Sequence, residues 1–424
     1  MPRLRFVHAA DLHLDSPFVG VQAVAPDNVS SALRDATFSA YENIIDLCIE
    51  EQVDALLVAG DVYDSADRSL RAQLKFVEGL KRLDQAGIRS FVCHGNHDPL
   101  DGWEARLEYP PSCTRFGREV QSVPVFEDDP RRGVVHGISY ATGEVSDNLA
   151  QRLGEGDPDA FSIGMVHANV DSDTVHDNYA PCSLEDLVRS GMDYWALGHV
   201  HRRQVLSERS PTVVYPGNPQ GRHPNEPGAR GVYLVEVDDD GDVSLDFRSM
   251  DCVRWERAAV DISRLVGEQG LIDGIHQRID EALNGANGVP VVLRISLVGT
   301  GSLHGSLQQP DLLEHVMEVV NVEWAKRGQF AWCERIVDRT TAPFNRDDRI
   351  DGSDFMAEVL RTADRAKEDT DMLARLQDGL SDLYQHHLYR KHLTDHVPGG
   401  DELSTMIDEA EAILVNRLDQ DEGA

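Results

Sequence analysis

The sequence lacks the features of a membrane or secreted protein. No run of about 18 apolar residues occurs in its 424 residues, which predicts that the chain has no membrane span. The start of the chain has no apolar stretch of the kind found in signal peptides. The six cysteines are scattered without a Cys-x-x-Cys pair, so we expect reduced thiols in the core. These absences predict a cytoplasmic location.

Basic residues are scarce compared with acidic ones. The chain has 40 Lys plus Arg against 74 Asp plus Glu, which leaves a formal net charge of −34. Such a charge repels a polyanion at long range. Binding of a nucleic acid therefore requires metal ions, local basic side chains or a partner to overcome this repulsion. Aromatic residues do not alternate with basic ones, so the sequence does not predict a platform for stacking single-stranded bases.

Strand-like and helix-like segments alternate over residues 1–250, which predicts an α/β domain. The expected strands cover residues 5–7, 55–58, 89–93, 134–140, 163–166 and 194–197. The expected helices cover residues 33–48, 70–83, 148–153 and 183–190. By composition, residues 99–117 and 216–224 are loops, and residues 231–237 and 243–248 form a hairpin.

The pattern changes near residue 252. The predicted strands at 254–260, 289–297 and 333–338 and the predicted helices at 272–283 and 311–327 indicate a small α+β domain. A linker follows at 340–352, and residues 353–420 are expected to be helical, with two apolar stripes that could contact the same chain, a second copy or another subunit. We therefore divide the chain into domains 1–250, 251–340 and 341–424.

Metal-ligand side chains follow five of the predicted strands. These groups are Asp11 with His13, Asp61, Asn96-His97-Asp98, His167, and His199 with His201. Because α/β folds place their sites at the carboxyl ends of strands, we expect these side chains to converge. Residues i and i+2 of an extended segment point to the same side, and a carboxylate can bridge two cations. The mixed oxygen and imidazole set predicts two divalent metals, with Mn favoured and Fe or Zn as alternatives.

Together these motifs resemble those of the calcineurin-like metallophosphoesterases, and within them the SbcD-type DNA exonuclease subunits of the YhaO-like branch. The segments that carry the closer resemblance lie at 9–17, 178–184 and 215–223. The motif resemblance covers residues 1–250, and beyond them it rests on domain order. It implies a four-layer α/β/β/α sandwich, a small α+β capping domain at 251–340 and a helical C-terminal region.

The resemblance also implies a role for each site residue. The first metal position would comprise Asp11, His13, Asp61 and His201. The second would comprise Asp61, Asn96, His167 and His199. His97 would protonate the leaving oxygen or stabilise its charge, and Asp98 would orient His97. Weaker candidates for contact with substrate phosphates are Arg202, Arg222 and His223.

The function that the resemblance implies is hydrolysis of DNA phosphodiesters in repair or recombination. We expect a 3′-to-5′ exonuclease, with endonuclease activity as an alternative. A coiled-coil ATPase, SbcC-like or YhaN-like, is expected to bind the C-terminal helices, and a homodimer is a further expectation. Two other interpretations stay open: a phosphoesterase for small nucleotides or phosphomonoesters, and a non-enzymatic adaptor whose metals are structural.

Overall fold

The computed structural model describes residues 3–16, 18, 25–64, 69–171, 179–209, 211–342, 346–385 and 398–421. Pro17, Asn178 and His387, which belong to predicted motifs or stripes, lie outside these residues. The chain forms two compact units: the first comprises Met1–Val260, Ile272–Ser296 and Leu313–Val337, and the second comprises Asp261–Leu271, Leu297–Leu312 and Asp338–Ala424. All the predicted site residues belong to the first unit. The three-domain division stays a prediction.

The first unit contains two six-stranded sheets that both carry site residues at their strand ends. The first sheet has the order β12-β11-β1-β2-β3-β4. Its strands are β1 (Leu4–Ala9), β2 (Ala55–Ala59), β3 (Arg89–Cys93), β4 (Cys113–Arg115), β11 (Gly231–Val237) and β12 (Val243–Ser249). Strands β1 to β4 are parallel, and the β11–β12 hairpin pairs antiparallel to β1.

The second sheet has the order β5-β6-β7-β8-β10-β9. Its strands are β5 (Gln121–Pro124), β6 (Val134–Gly137), β7 (Ser162–His167), β8 (Tyr194–Gly198), β9 (Gln204–Ser207) and β10 (Thr212–Tyr215). Strands β6, β7, β8 and β10 are parallel, whereas β5 and β9 pair antiparallel at the two edges. Every residue of β2, β7 and β8 is buried, as expected for strands covered on both faces.

Helices cover the outer face of each sheet. Helices α1 (Asp27–Glu50) and α2 (Leu70–Gln85) pack on the first sheet through a core that includes Ile44, Leu80 and Leu56. Helices α3 (Leu149–Arg152) and α4 (Leu184–Arg189) contribute to the core on the second sheet. Between the sheets lies a third core, in which Leu57 and Met165 are fully buried. This is the four-layer α/β/β/α sandwich that the resemblance predicted.

A three-stranded sheet follows in the chain. It comprises β13 (Arg254–Asp261), β14 (Val291–Val298) and β15 (Ala331–Asp338), in that order. The helices of this segment are α5 (Gly267–Gly285), α6 (His304–Leu307) and α7 (Leu312–Trp324). Within the first unit, Trp255 and Trp332 of this sheet pack with Leu33 of α1. The predicted strands and long helices of the small α+β domain are therefore present.

The described residues after 345 are largely helical, as predicted. They form α8 (Arg346–Ile350), α9 (Phe355–Glu368), α10 (Thr370–Gln385) and α11 (Gly400–Asp421). Arg346 pairs with Asp364 of α9 and with Glu411 of α11, at 2.6 and 2.7 Å. Helix α8 lies in the segment predicted as a linker, so that prediction was wrong for residues 346–350.

Other differences involve short elements. Strand β4 lies within the predicted loop 99–117, and β6 ends at Gly137 rather than at residue 140. Strands β5, β9 and β10 have four residues each and were not predicted. Strands of three or four residues are too short for an alternating pattern to be recognised. No helix in the described part of the chain is both long and apolar enough to cross a membrane.

All six cysteines are unpaired, and each belongs to a described part of the chain. Cys48, Cys93, Cys182 and Cys333 are buried, and Cys113 and Cys252 are partly buried. Burial raises the pKa of the Cys93 thiol, which keeps it protonated. The prediction of reduced core thiols is therefore confirmed for the four buried cysteines.

Candidate metal centre

The carboxyl ends of β1, β2, β3, β7 and β8 bring the predicted ligands together. Asp11 and His13 follow β1, Asp61 follows β2 and Asn96 follows β3. The residues contributed by the second sheet are His167, at the end of β7, and His199 and His201, after β8. Backbone hydrogen bonds link the loops: Asp11 N donates to Gly60 O at 3.1 Å, and His13 N donates to Asp61 O at 3.0 Å.

Four of the predicted ligands have left-handed backbone conformations. The φ angles are 52° for Asp11, 42° for His13, 50° for Asp61 and 104° for His199. Positive φ is uncommon for residues other than glycine and costs conformational energy. Such strain is typical of functional sites, where the surrounding structure holds a side chain in place for a purpose other than stability.

Glycines beside the ligands permit a close approach between the two sheets. A Cβ atom at Gly198 would overlap the carbonyl oxygen of Ala59, at the end of β2. A Cβ atom at Gly60 would overlap the imidazole of His167, and Gly60 also has a φ of 89°. Glycine is therefore required at both positions for the ligands of the two sheets to meet.

The first predicted metal position is a convergence of two imidazoles and a carboxylate. The Nε2 atoms of His13 and His201 lie 3.1 Å apart, and Asp11, His13 and His201 each place one ligand atom within 4.8 Å of the others. The opposite ring nitrogens face other carboxylates: His13 Nδ1 lies 3.0 Å from Asp64 Oδ1, and His201 Nδ1 lies 2.8 Å from Glu226 Oε1. Two Nε2 atoms directed at one point are well placed to share a cation.

The second predicted position surrounds His167. Its Nε2 lies 3.0 Å from Asn96 Oδ1 and 3.3 Å from Asp61 Oδ2, while its Nδ1 faces the carbonyl oxygen of Ala59 at 3.0 Å. His199 Nδ1 lies 3.3 Å from the same Asn96 oxygen. The Asp61 carboxylate also lies 3.8 Å from His13 Nε2, so it stands between the two positions, as a bridging ligand must.

The electrostatics of the site show why it suits divalent cations. Burial raises the pKa of Asp11, whereas the charge and hydrogen bond of His167 outweigh burial at Asp61 and hold the pKa of that carboxyl well below its usual range. Burial also opposes the charged form of His167, but Asp61 raises its pKa to about 9. For His13, burial and the charge of Arg222 lower the pKa to about 3. Carboxylates and imidazoles gathered in one buried cluster form a donor set that fits divalent transition metals.

His97 is exposed, unlike the seven predicted metal ligands, and one nitrogen of its ring has a fixed contact. Its Nδ1 lies 2.9 Å from the backbone carbonyl oxygen of Asp64, which can only accept a hydrogen bond. Nδ1 therefore carries a proton and donates a hydrogen bond to this carbonyl oxygen. Nε2 is then the ring nitrogen left for a substrate. The His97 ring lies 5.0 Å from the His13 ring, centroid to centroid.

Asp98 joins neighbouring loops, and its predicted role in orienting His97 stays a prediction. Its carboxylate accepts hydrogen bonds from the backbone N–H groups of Val62, at 3.0 Å, and Gly95, at 2.7 Å, and lies 3.0 Å from His94 Nδ1. The carboxylate thus joins the loops after β2 and β3 and orients His94. On His97, Nδ1 contacts the backbone carbonyl oxygen of Asp64.

The three candidates for substrate contact lie in different environments. Arg202 is exposed, and the side chain of His223 is 50% exposed. The side chain of Arg222 is 13% exposed, and its Nη1 donates to Ser16 Oγ at 2.9 Å and to Asp64 Oδ1 at 2.5 Å. Arg202 and His223 are therefore accessible to a substrate, whereas Arg222 is engaged inside the protein. Substrate contact stays a prediction for all three.

Sequence reasoning missed two carboxylates that support the ligands, Asp64 and Glu226. Asp64 lies three residues after Asp61, so its position in Gly-Asp-Val-Tyr-Asp was an available signal. Glu226 lies just beyond the loop predicted at 216–224 and belongs to no motif that we recognised. Its side chain is 5% exposed and contacts a residue 25 positions away, which no local pattern indicates.

Comparisons with known proteins agree with this geometry. Residues 4–203 match the calcineurin-like phosphoesterase family, and residues 255–341 match the middle domain of metallophosphoesterase YhaO. The chain is 36% identical over 417 residues to the uncharacterized metallophosphoesterase YhaO of Bacillus subtilis, with 98% of each chain covered. The fold and the ligand set thus define a calcineurin-like metallophosphoesterase. Within that class, the chain belongs to the YhaO family.

More distant relatives are named for DNA processing. The chain is 25% identical over 310 residues to the DNA double-strand break repair protein Mre11 of Sulfolobus acidocaldarius, covering 70% of this chain and 75% of that protein. It is also 25% identical over 275 residues to a component of the nuclease SbcCD of Bacillus subtilis, covering 55% of this chain and 66% of that protein. The relationship to these proteins is weaker and covers less of the chain than the relationship to YhaO.

Proposed function

We propose that the protein is a metal-dependent phosphodiesterase that acts on DNA, most simply as a 3′-to-5′ exonuclease. The observation that carries the proposal is the site itself: seven candidate ligands converge at the strand ends beside an exposed imidazole, His97. The ligands are Asp11, His13, Asp61, Asn96, His167, His199 and His201. When bound, two divalent ions, with Mn favoured, would neutralise phosphoryl oxygens and activate a water molecule.

The residues of this chain would supply orientation and a proton. The Nδ1–H of His97 donates a hydrogen bond to the Asp64 carbonyl oxygen, and in the imidazolium form of the ring the proton on Nε2 would pass to the departing oxygen of the substrate. Because the ring is exposed, that proton can be replaced from solvent after each turnover. Asp98 links the loops after β2 and β3 and so fixes the positions of Asp61 and Asn96 relative to each other.

DNA as the substrate is supported by the names of the distant relatives and by local charge. Arg202 and Arg203 follow the ligand His201, and both are exposed. They offer two positive charges beside the site for substrate phosphates. The net charge of −34 opposes this binding at long range. We therefore expect DNA cleavage to depend strongly on divalent metal and on a basic partner surface.

The expected partner is a coiled-coil ATPase, SbcC-like or YhaN-like, bound by the C-terminal helices. Helices α9, α10 and α11 expose Phe355, Leu376 and Leu414, which are 70%, 41% and 48% exposed. Exposed apolar side chains on helices are suited to packing against another helix. A second copy of the chain is a further proposed partner, for which Leu70 and Leu74 of α2, 52% and 51% exposed, would offer an apolar surface.

The substrate is tested with the full-length protein and Mn²⁺ on end-labelled double-stranded DNA, single-stranded DNA and bis-p-nitrophenyl phosphate. Shortening of DNA from its 3′ end supports the proposal. Internal cuts would instead support endonuclease action. If the small diester is hydrolysed and DNA stays intact both alone and with the ATPase, the DNA substrate is wrong.

A small phosphoester is the second candidate function, because the strongly negative charge favours a substrate less anionic than DNA. In the same assay, faster hydrolysis of a nucleoside monophosphate or cyclic nucleotide than of any DNA would favour it. The adaptor alternative requires that no phosphoester is hydrolysed by a protein that has bound both metals.

A further inference from the structure

The loop at residues 216–226 contacts His201, and the proposed catalytic steps do not use its carboxylate, Glu226. Gly217 has a φ of 76°, and a Cβ atom there would lie 2.6 Å from the carbonyl oxygen of His201. Arg230 donates a hydrogen bond to that carbonyl oxygen and another, at 3.0 Å, to Asn218 Oδ1. The loop therefore contacts the backbone of His201 closely, and it holds a carboxylate, Glu226, against the ring.

Glu226 has defined partners for both carboxylate oxygens. Its Oε1 lies 2.8 Å from His201 Nδ1, and its Oε2 accepts hydrogen bonds from the backbone N–H of Arg222, at 2.8 Å, and from Asn218 Nδ2, at 3.0 Å. The residue is 4% exposed. A buried carboxylate held in this way has little freedom to turn away from the imidazole.

The contact determines which nitrogen of His201 can bind a metal. A carboxylate accepts hydrogen bonds and cannot donate them, so the proton of the neutral ring lies on Nδ1. The lone pair then lies on Nε2, the atom that faces His13 Nε2 at 3.1 Å. Carboxylate partners of this kind fix the tautomer of ligand histidines and make the ring a stronger base.

We propose that Glu226 is a positioning residue for the first metal position, which fixes the tautomer and orientation of His201. The inference rests on the proposed function only in taking His201 as a ligand. His167, at the second position, has a neutral backbone carbonyl as the partner of its Nδ1. Metal affinity at the first position should therefore depend on a carboxylate partner of the ligand histidine, whereas metal affinity at the second position should not.

Asp64 provides an internal comparison at the same metal position. Its Oδ1 lies 3.0 Å from His13 Nδ1, but this nitrogen has no aligned hydrogen bond, and the same oxygen is bound by Arg222 Nη1. The Asp64 side chain is 33% exposed, whereas that of Glu226 is 5% exposed. We therefore expect Glu226 to contribute more than Asp64 to metal affinity.

The test is a Mn²⁺ titration of the metal-free, full-length protein by calorimetry, which needs no substrate. The variant Glu226→Gln keeps the shape of the side chain but removes its charge. We expect it to weaken one of the two binding events by about 10–100-fold and to leave the other within about threefold. Asp64→Asn should weaken the same event by a smaller factor. The event is assigned to a position by comparison with His201→Ala and Asn96→Ala.

Two matched controls separate positioning from stability. Glu185→Gln changes an exposed carboxylate on α4 and should alter neither binding event. Leu80→Ala removes a fully buried side chain on α2 and should lower the melting temperature while leaving Mn²⁺ affinity unchanged. If Glu226→Gln also lowers only the melting temperature, its role is structural and the proposal is overturned.

A second measurement uses the wild-type protein and so does not depend on the folding of a variant. In ¹⁵N-histidine NMR spectra at pH 8, the His201 signals, identified by their loss in His201→Ala, should show a protonated Nδ1 and an unprotonated Nε2. The opposite tautomer would overturn the proposal. Should Glu226→Gln behave as expected while DNA is never cleaved, the proposed substrate fails and the positioning role stands.

Discussion

The strand ends of the first unit and the C-terminal tail, which comprises helices α8–α11, differ in how exposed their side chains are. At the strand ends, Asp11, Asp61 and His167 are at most 1% exposed, and each contacts residues from other loops. In the tail, Phe355 and Leu376 are 70% and 41% exposed. Side chains of the first region are therefore held by contacts within the protein, whereas the tail exposes apolar side chains to solvent.

The largest effect is expected at the carboxylate between the two metal positions. Asp61→Asn removes a charge from a fully buried cluster and should abolish the binding of at least one metal. The loss of metal affinity should exceed the ~10–100-fold loss that is typical when a residue supporting a ligand is changed. Mn²⁺ binding measured by calorimetry checks this. The control Asp239→Asn, in an exposed turn, should bind as the wild type does. Two unchanged binding events in Asp61→Asn would show that the site is not the metal centre.

A second comparison concerns stability. Leu57 is fully buried between the two sheets, so Leu57→Ala should lower the free energy of unfolding of the first unit by about 2–5 kcal/mol. All five tryptophans lie in that unit, so urea unfolding followed by tryptophan fluorescence reports on it. The matched control, Leu376→Ala in the tail, should change this transition by less than about 0.5 kcal/mol. Equal losses in the two variants would contradict the distinction between the regions.

The pH dependence of stability tests the packing behind the site. Burial lowers the pKa of His8 to about 3, and its Nδ1 lies 2.9 Å from the Tyr194 hydroxyl oxygen. Because the pKa is depressed in the folded state, the unfolded chain binds the proton more readily, and stability falls as the pH drops below about 6.5. Between pH 7 and pH 5 the metal-free wild type should lose about 2 kcal/mol more than His8→Gln.

Urea unfolding at the two pH values, followed by tryptophan fluorescence, measures that difference. Both proteins share their other titrating groups, so the difference between their losses reports on His8. Parallel losses in the two proteins would mean that His8 is already protonated in the fold, which the burial of its ring argues against.

In the tail we expect the smallest effect on stability but a large effect on binding of the ATPase. Phe355→Ser changes an exposed side chain at the start of α9 and should alter the unfolding free energy by less than about 0.5 kcal/mol. It should weaken binding of the coiled-coil ATPase by tenfold or more, measured by calorimetry, because exposed aromatic residues dominate such contacts. The control Val266→Ser changes another highly exposed apolar residue outside α8–α11 and should bind normally. Unchanged binding in Phe355→Ser would place the partner elsewhere.

Much of the fold and the ligand set could be predicted because each ligand follows a buried strand. The predicted strand at 89–93 matches β3 residue for residue, and Ser183 forms the capping box that its spacing with Asp186 indicated. Parallel strand direction carries the side chains that follow β1, β2 and β3 to the same edge of the first sheet. The sequence therefore contains the information needed to place Asp11, Asp61 and Asn96 near one another.

The supporting residues were harder to predict because their contacts depend on how loops fold back. The carboxylate of Asp98 binds two backbone N–H groups and contacts His94, and the sequence indicated none of these contacts. Glu226 approaches His201 only because the loop at 216–226 turns around it. Such contacts carry no periodicity, and no motif marks them.

The central claim, that this site hydrolyses phosphodiesters with His97 as the proton donor, is tested most directly by one paired measurement. Mn²⁺-dependent hydrolysis of DNA and of bis-p-nitrophenyl phosphate, together with Mn²⁺ content, is compared between the wild type and His97→Ala. The account predicts two bound Mn²⁺ in both proteins and a loss of turnover in the variant of about 10²–10⁴-fold. Equal turnover in the two proteins, or no turnover in a wild type with both metals bound, would contradict it.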